Sequence, residues 1–461
     1  MPTNLLHRIR SRAVSFRFVQ HGVVLLACAA SLLSSKLLLP AAALIVAVWL
    51  LRWFVARSGS SRLAVMATPA DLGIVLLMIM AGVSLLISPL PDLTQPQVLR
   101  LIIGIATYYA IAEAVALFLP SNTVVTSSTQ VGLILISLAL IGTALAGLAP
   151  ISVDWYANKG LIPTQVYSRF VVLLSDSVHP NVMGGNLALF IPFSLGLVLF
   201  LPKARTAARL IGIFTTAIMT LILVLTQSRS AYVALAAACL CLALLRLATR
   251  FPRAARLAGI ALLVCIGFAL AGLVLQIPPF DTVAATSTQG VDATINGRIE
   301  IWSRGIYMVQ DFPFTGIGMG LHAKLVEVMY PYFINPVPLV HAHNLFLQIA
   351  VDLGLPGLIA WLATLIITIA CSISLYRVGL RTNNPGQAGL AASLIASQLA
   401  LIVGGLTDAV TWGGIRTAPL VWVIWGVAVG CWMSSWMHMQ AQSEPLPTQL
   451  DPSNRATEAA A

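Results

Sequence analysis

The chain has 461 residues, of which 59% are hydrophobic and only 9% charged, and its mean hydropathy is +0.92. That composition excludes a water-soluble globular protein and identifies an all-α, polytopic membrane protein. The net charge of +11 lies in short inter-helix segments with no long basic run and no aromatic-basic interleaving, so it speaks for membrane topology and against a nucleic-acid binder.

The chain opens with Arg8, Arg10, Arg12 and Arg17, followed by an apolar run over 19–35 that could pass for a signal peptide. So many further runs follow that an uncleaved first helix is the better reading. Runs long enough to cross a hydrocarbon core fall near 19–35, 37–55, 70–90, 101–119, 130–149, 182–201, 210–226, 231–248, 257–276, 355–376, 388–405 and 420–436, about twelve spans. With the N-terminus cytoplasmic, 17 of the 26 Lys and Arg fall on the cytoplasmic side, including Arg52, Arg57, Arg205, Arg246 and Arg377. The positive-inside rule then places both termini in the cytoplasm.

This reading divides the chain into a basic tail (1–18), nine spans (19–276), a periplasmic loop (277–343), an interfacial helix with three more spans (344–436), and a polar cytoplasmic tail (437–461) whose composition predicts disorder. Six cysteines all lie in apolar runs and form no disulfide or zinc pattern. Glu113 falls within a span, where a carboxylate is costly unless paired, and reads as a structural contact. In the loop 150–181, Trp155, Tyr156 and Tyr167 suggest interfacial anchoring. In the long loop, Ile299, Trp302, Ile306 and Val309 recur at helical spacing, with Asn296 as N-cap and Pro313 beyond the end. Leu321, Leu325, Val328 and Met329 form a second stripe, stopped by Pro331. Both would be amphipathic helices over the membrane mouth.

The candidate chemistry falls on the periplasmic side of this topology. Arg229 stands at the start of a span between Ser228 and Ser230, where helix N-H groups, hydroxyls and a guanidinium can hold an anion together. The plain alternative is a snorkelling arginine. Arg298 offers a planar fork for phosphate, or a surface pair with Glu300 or Asp292. His341, His343 and Asn344 precede an apolar run, with Gly354 and Pro356 reading as a bend between a short surface helix and a span. An imidazole titrates near working pH and can take a proton from a hydroxyl, so His343 is the candidate general base, against a structural histidine. His341 is left open between the two. Lys159, Arg169, His179 and Asp408 could line a sugar or phosphate site, and equally serve as loop and cap residues. A metal reading is disfavoured, because His341 and His343 are two apart rather than four and acids are sparse on that side.

Three blocks carry a resemblance: Gln227-Ser228-Arg229-Ser230-Ala231, then Gly297-Arg298-Ile299-Glu300-Ile301-Trp302 with Pro313, Gly316 and Gly318, then His343-Asn344, nine residues, Gly354, two residues, Gly357. In this order they resemble the O-antigen ligase and polymerase superfamily of membrane glycosyltransferases. The resemblance implies a donor glycan on undecaprenyl diphosphate, a lipid A-core acceptor, membrane lipids as surroundings, no nucleic acid partner, and neither nucleotide nor metal cofactor. It also implies His343, Arg229 and Arg298 as catalytic residues, with Ser228, Ser230, Asn344, His341, Lys159, Arg169, His179 and Asp408 binding substrate. A polymerase or protein O-oligosaccharyltransferase of the same superfamily is the alternative. From another class, a lipid-linked glycan flippase would place its arginines within spans around a central cavity.

Overall fold

The computed structural model describes residues 19–57, 66–119, 128–155, 163–170, 173, 177–202, 204–251, 253, 254, 257, 259, 295–331 and 341–443. Among these there is no strand; one isolated bridge joins Val153 to Val178. The helices are α1 (Val19–Leu33), α2 (Leu38–Arg57), α3 (Asp71–Ile87), α4 (Pro91–Phe118), α5 (Ser128–Ser152), α6 (Thr164–Tyr167), α7 (Pro180–Phe200), α8 (Thr206–Leu225), α9 (Arg229–Ala248), α10 (Ile295–Asp311), α11 (His322–Val328), α12 (Leu345–Arg381), α13 (Pro385–Gly405) and α14 (Pro419–Ser443). Among the described residues nine helices are long and apolar enough to cross a membrane, and α1 and α3 are shorter apolar helices. The span expected at 257–276 lies almost wholly outside the described residues, as do the basic tail, residues 277–294 and 332–340, and the end of the chain from 444. The last helix continues to Ser443, past residue 437, where composition alone suggests the tail begins.

Several helices are apolar around their whole circumference. Leu72 and Leu86 of α3 are more than four-fifths exposed, which suits contact with lipid rather than water. Without a hydrophobic driving force between helices, close packing depends on small residues. At the α4/α14 contact, a Cβ on Gly426 would stand 2.8 Å from the Tyr108 carbonyl oxygen, and one on Gly430 would stand 2.6 Å from that of Ala112. Polar side chains inside the bundle find partners: Thr368 Oγ1 donates to Gln398 Oε1 at 2.7 Å, and Gln398 Nε2 donates to Ser372 Oγ at 3.0 Å. Glu113 accepts two bonds from Arg52, at 2.7 and 2.9 Å, and stands 3.1 Å from His21 Nε2, the paired structural contact its position demands.

α12 breaks at Gly354, whose φ of 70° and ψ of −179° belong to a region that only glycine enters readily. The loop after α10 fills the break. Leu355 N donates to the Pro313 carbonyl at 2.7 Å, Ile317 N to that of Val351 at 2.8 Å, and Gly318 N to that of Asp352 at 3.2 Å. A Cβ on Gly316 would lie 2.5 Å from Gly354 N, so the glycines of two separate sequence blocks meet backbone to backbone.

Three expectations are revised here. Trp155 and Tyr167 are core residues, 2% and 3% exposed and stacked at 5.5 Å, because they pack on each other and on Phe170, with the Tyr167 hydroxyl bonded at the end of α8, rather than anchoring at an interface; Tyr156 lies outside the described residues. On α10 Ile299 is buried and Trp302 and Val309 are partly buried as the spacing predicts, but Ile301 and Met308 join the buried face and Ile306 is 40% exposed, because α10 packs on α11 and α12 together. Asn296 sits within α10 rather than capping it.

Candidate functional site

Four elements converge at one end of the bundle: the N-termini of α7, α9 and α12, and the connection 406–418 between α13 and α14. α10 closes over them. Ser228 Oγ caps α9 by accepting from Ala231 N at 3.4 Å and stands 3.1 Å from Ser230 Oγ. The preceding Gln227 has φ of 52° and is held by Tyr167, to whose hydroxyl its Nε2 donates at 2.8 Å. Tyr167 in turn donates to the Leu225 carbonyl at 3.0 Å. Arg229 is thereby set, exposed, at the open end of a 20-residue helix, with no ion-pair partner among the described residues. Ser230 and Asp408 line one small cavity together with Gly185 and Gly404.

Asn344 caps α12 through Oδ1, accepting from Leu347 N at 3.0 Å, while its Nδ2 donates to the Leu406 carbonyl at 3.1 Å. This pins the histidine pair to the connection that carries Asp408. His343 has φ of 48°, a left-handed backbone that an imidazole-bearing residue rarely adopts without surrounding support. The two imidazoles meet edge to face with centroids 4.4 Å apart. His343 N donates to His341 Nδ1 at 3.2 Å, so the neutral His341 ring carries its proton on Nε2, which stands 3.7 Å from Asp408 Oδ1. His343 Nδ1 stands 3.4 Å from the same oxygen.

Asp408 is 2% exposed. Burial alone would raise its carboxyl, but the His343 contact and the two adjacent imidazoles outweigh burial and lower it to about 2. Ala409 N donates to Oδ1 at 2.9 Å and Asn181 Nδ2 to Oδ2 at 3.3 Å. Arg298, on the first turns of α10, donates through Nη1 to the Thr407 carbonyl and, at 3.5 Å, to that of His343. The guanidinium is therefore tied to both segments that form the histidine-carboxylate group.

The structure thus gathers His341, His343, Asn344, Asp408 and Arg298, with Ser230 beside them and Arg229 on the adjoining residue. Ser228 is buried, its hydroxyl spent on the cap. His179 caps α7 by accepting from Asn181 N at 3.1 Å, and Asn181 in turn bonds Asp408. Arg169 is exposed beyond α6, and Lys159 lies outside the described residues. Sequence reasoning did not link Asn181 to Asp408. It also set metal chemistry aside on residue spacing. Yet His341, His343 and Asp408 bring ligand atoms within 4.8 Å of one another, close enough to surround a cation, because the fold supplies an acid 65 residues from His343.

Residues 214–362 match the family model described as O-antigen ligase. That match supports membership of the O-antigen ligase superfamily. The match spans Arg229, Arg298, His343 and Gly354, so the three sequence blocks and the family domain coincide, and the activity type is that of a membrane glycosyltransferase. Asp408 and Asn181 fall outside it. No curated protein matches the chain.

Proposed function

We propose that the protein transfers a glycan from undecaprenyl diphosphate to a sugar hydroxyl of lipid A-core on the periplasmic face of an inner membrane. The observation that carries the reading is His343 held between Asp408 and the segment bonded by Arg298, inside an O-antigen ligase domain. With Nδ1 turned to a buried carboxylate, His343 presents Nε2 as its basic nitrogen. That nitrogen takes the acceptor hydroxyl proton as the oxygen attacks the anomeric carbon. A new glycosidic C–O bond forms, the bond to the diphosphate oxygen breaks with its electron pair, and in-line attack inverts the centre.

Arg229 and Arg298 stabilise the charge that grows on the departing diphosphate, where fixed cations contribute most. Asp408 is too buried to reach substrate and serves as orienter, with His341 and Asn181 filling its remaining contacts. The trio works here as an imidazole base beside a buried carboxylate and requires no metal: transfer persists under chelation. Chelator-dependent loss, restored by a divalent cation, would contradict this. The gathering of these residues at one end of the bundle favours an enzyme over a flippase, whose cationic residues would line a central cavity.

Purified protein given lipid-linked glycan and either lipid A-core or a second lipid-linked unit tests the reading: ligation to the core is expected, and exclusive chain growth on the lipid-linked acceptor would assign a polymerase instead. Sidedness has its own test. Ser168, exposed beside the Tyr167 end of the site, should react as Cys with an impermeant thiol reagent added outside, whereas Ala204→Cys, between α7 and α8 at the other end, should not.

A further inference from the structure

Asp352 is 1% exposed, lies in the turn of α12 before the Gly354 break, and takes no part in the chemistry above. Its carboxylate accepts two bonds from different segments. Trp412 Nε1 donates to Oδ2 at 2.8 Å, and Gln348 Nε2 donates to Oδ1 at 2.9 Å. With its amide nitrogen engaged, Gln348 can turn only its oxygen toward the histidine loop, and Oε1 accepts from Ala342 N at 2.7 Å. Ala342 is the fully buried residue between His341 and His343. Trp412 lies four residues beyond Asp408 on the 406–418 connection and closes a turn onto Ala409, whose own N-H bonds Asp408 Oδ1. One carboxylate therefore holds, through one intermediary each, the loop bearing His343 and the loop bearing Asp408. The Asp352 carbonyl also accepts from Gly318 N, binding in the block that follows α10.

We propose that Asp352 is a positioning residue that sets the register between His343 and Asp408, which rests on the reading of His343 as general base. A carboxylate suits this place because it only accepts. Two donors converge on it, and the acceptor identity of Asp352 forces the orientation of the Gln348 amide, which determines whether Ala342 N finds an oxygen or another N-H. In Asp352→Asn the shape is unchanged. If Asn Oδ1 keeps Trp412, its NH₂ faces Gln348, the Gln348 amide turns over, and an NH₂ group is driven against Ala342 N-H. The loop loses its anchor although no side chain has been truncated. Misplacement of a reacting group by about 1 Å costs up to about a hundredfold in rate.

The reversed relay is the discriminating variant. In Asp352→Asn combined with Gln348→Glu, Asn Oδ1 accepts from Trp412, its NH₂ donates to the Glu carboxylate, and the second Glu oxygen accepts from Ala342 N-H. The charge stays the same and all three bonds are restored, with only the bond between residues 352 and 348 reversed in direction. The full-length protein in nanodiscs is measured in two ways. Amide hydrogen exchange over 341–344 should rise at least about tenfold in Asp352→Asn and return toward wild type in the double variant. Single-turnover transfer should fall at least about tenfold in Asp352→Asn, with binding of lipid-linked donor unchanged, and recover in the double variant.

Unchanged exchange in Asp352→Asn, or donor binding lost in proportion to rate, overturns the proposal. Raised exchange with wild-type transfer in Asp352→Asn also overturns it, because the loop would then be free without cost to the chemistry. A wild-type protein that transfers nothing counts against the glycosyltransferase reading, and the exchange measurement still decides whether Asp352 holds the loop.

Discussion

Two groups among the described residues bring a carboxylate to imidazole, around Glu113 and around Asp408, and they are built to opposite ends. Around Glu113 the acid, Arg52 and His21 are all about 95% buried, and Arg52 grips both carboxylate oxygens. Around Asp408 the carboxylate is equally buried, but His341 and His343 retain 20% and 14% exposure. Arg229 and Arg298 stand at the rim instead of closing on the acid. α4 touches both regions. Gln97 lies against Gly413 of the 406–418 connection, and Glu113 follows sixteen residues later, roughly 24 Å along the helix. Similar side chains thus make a closed clasp within the bundle and an open, anion-facing group at its end. Whether the cations are committed to the acid separates the two, and that is a property of the fold rather than of composition.

The comparison breaks most visibly in stability. Glu113→Gln leaves Arg52 buried beside a neutral amide, and removing one partner of a buried pair typically costs about 3–5 kcal/mol. Thermal unfolding in detergent should show that loss, while the fraction that stays folded transfers at the wild-type single-turnover rate. A clear rate defect in that fraction would link the clasp to the chemistry.

Asp408→Asn should do the reverse. The ring of His343 loses the anion that fixes its tautomer, and turnover should fall about tenfold to a hundredfold, an effect larger than the loss of midpoint temperature that removing the stabilising carboxylate brings near neutral pH. The acid limb supplies a second readout. Because the Asp408 carboxyl is lowered to about 2 from an ordinary value near 3.8, its contribution to stability is fully present above about pH 4 and disappears as pH falls toward 2. Unfolding measured across that window should be steeper in wild type than in Asp408→Asn.

Arg298→Lys keeps the charge and loses the fork. It should reduce transfer about tenfold while the protein folds normally, since a lysine cannot bond two carbonyls and still present a planar face to a diphosphate. Equal transfer by the lysine variant would reduce Arg298 to a tether for α10. The mildest effect concerns the pH profile. Asp408 stays ionised throughout the working range, so kcat/KM should show no acid limb from the carboxylate down to about pH 4.

These contrasts also mark what was legible beforehand. The apolar runs fix the helices, and the spacing of Gly354 and Pro356 locates the break in α12, because both depend on local chain physics. His343, Asn344, Arg298 and Arg229 stand out as polar residues beside apolar runs, in blocks whose order can be recognised. The partners of Asp408 were hidden. Asn181 is 227 positions away in sequence, and its bond exists only because α7 and the 406–418 connection end at the same level. Trp412 and Gln348 look like ordinary bundle residues until their hydrogen bonds are followed to Asp352. The misread aromatic pair has the same origin: Trp155 and Tyr167 have interfacial chemistry, but stacking on each other and bonds of Tyr167 with Leu225 and Gln227 hold them in the core.

The most direct test of the open group is to separate binding from chemistry in His343→Ala. Affinity for lipid-linked donor and the single-turnover rate of transfer are measured on the same purified preparation. With His343 as the base and the arginines as the diphosphate contacts, donor affinity should be kept within about twofold while the rate falls about a hundredfold or more. Weak donor binding with a normal rate for the donor that is bound would make His343 a diphosphate ligand and contradict its assignment as the base.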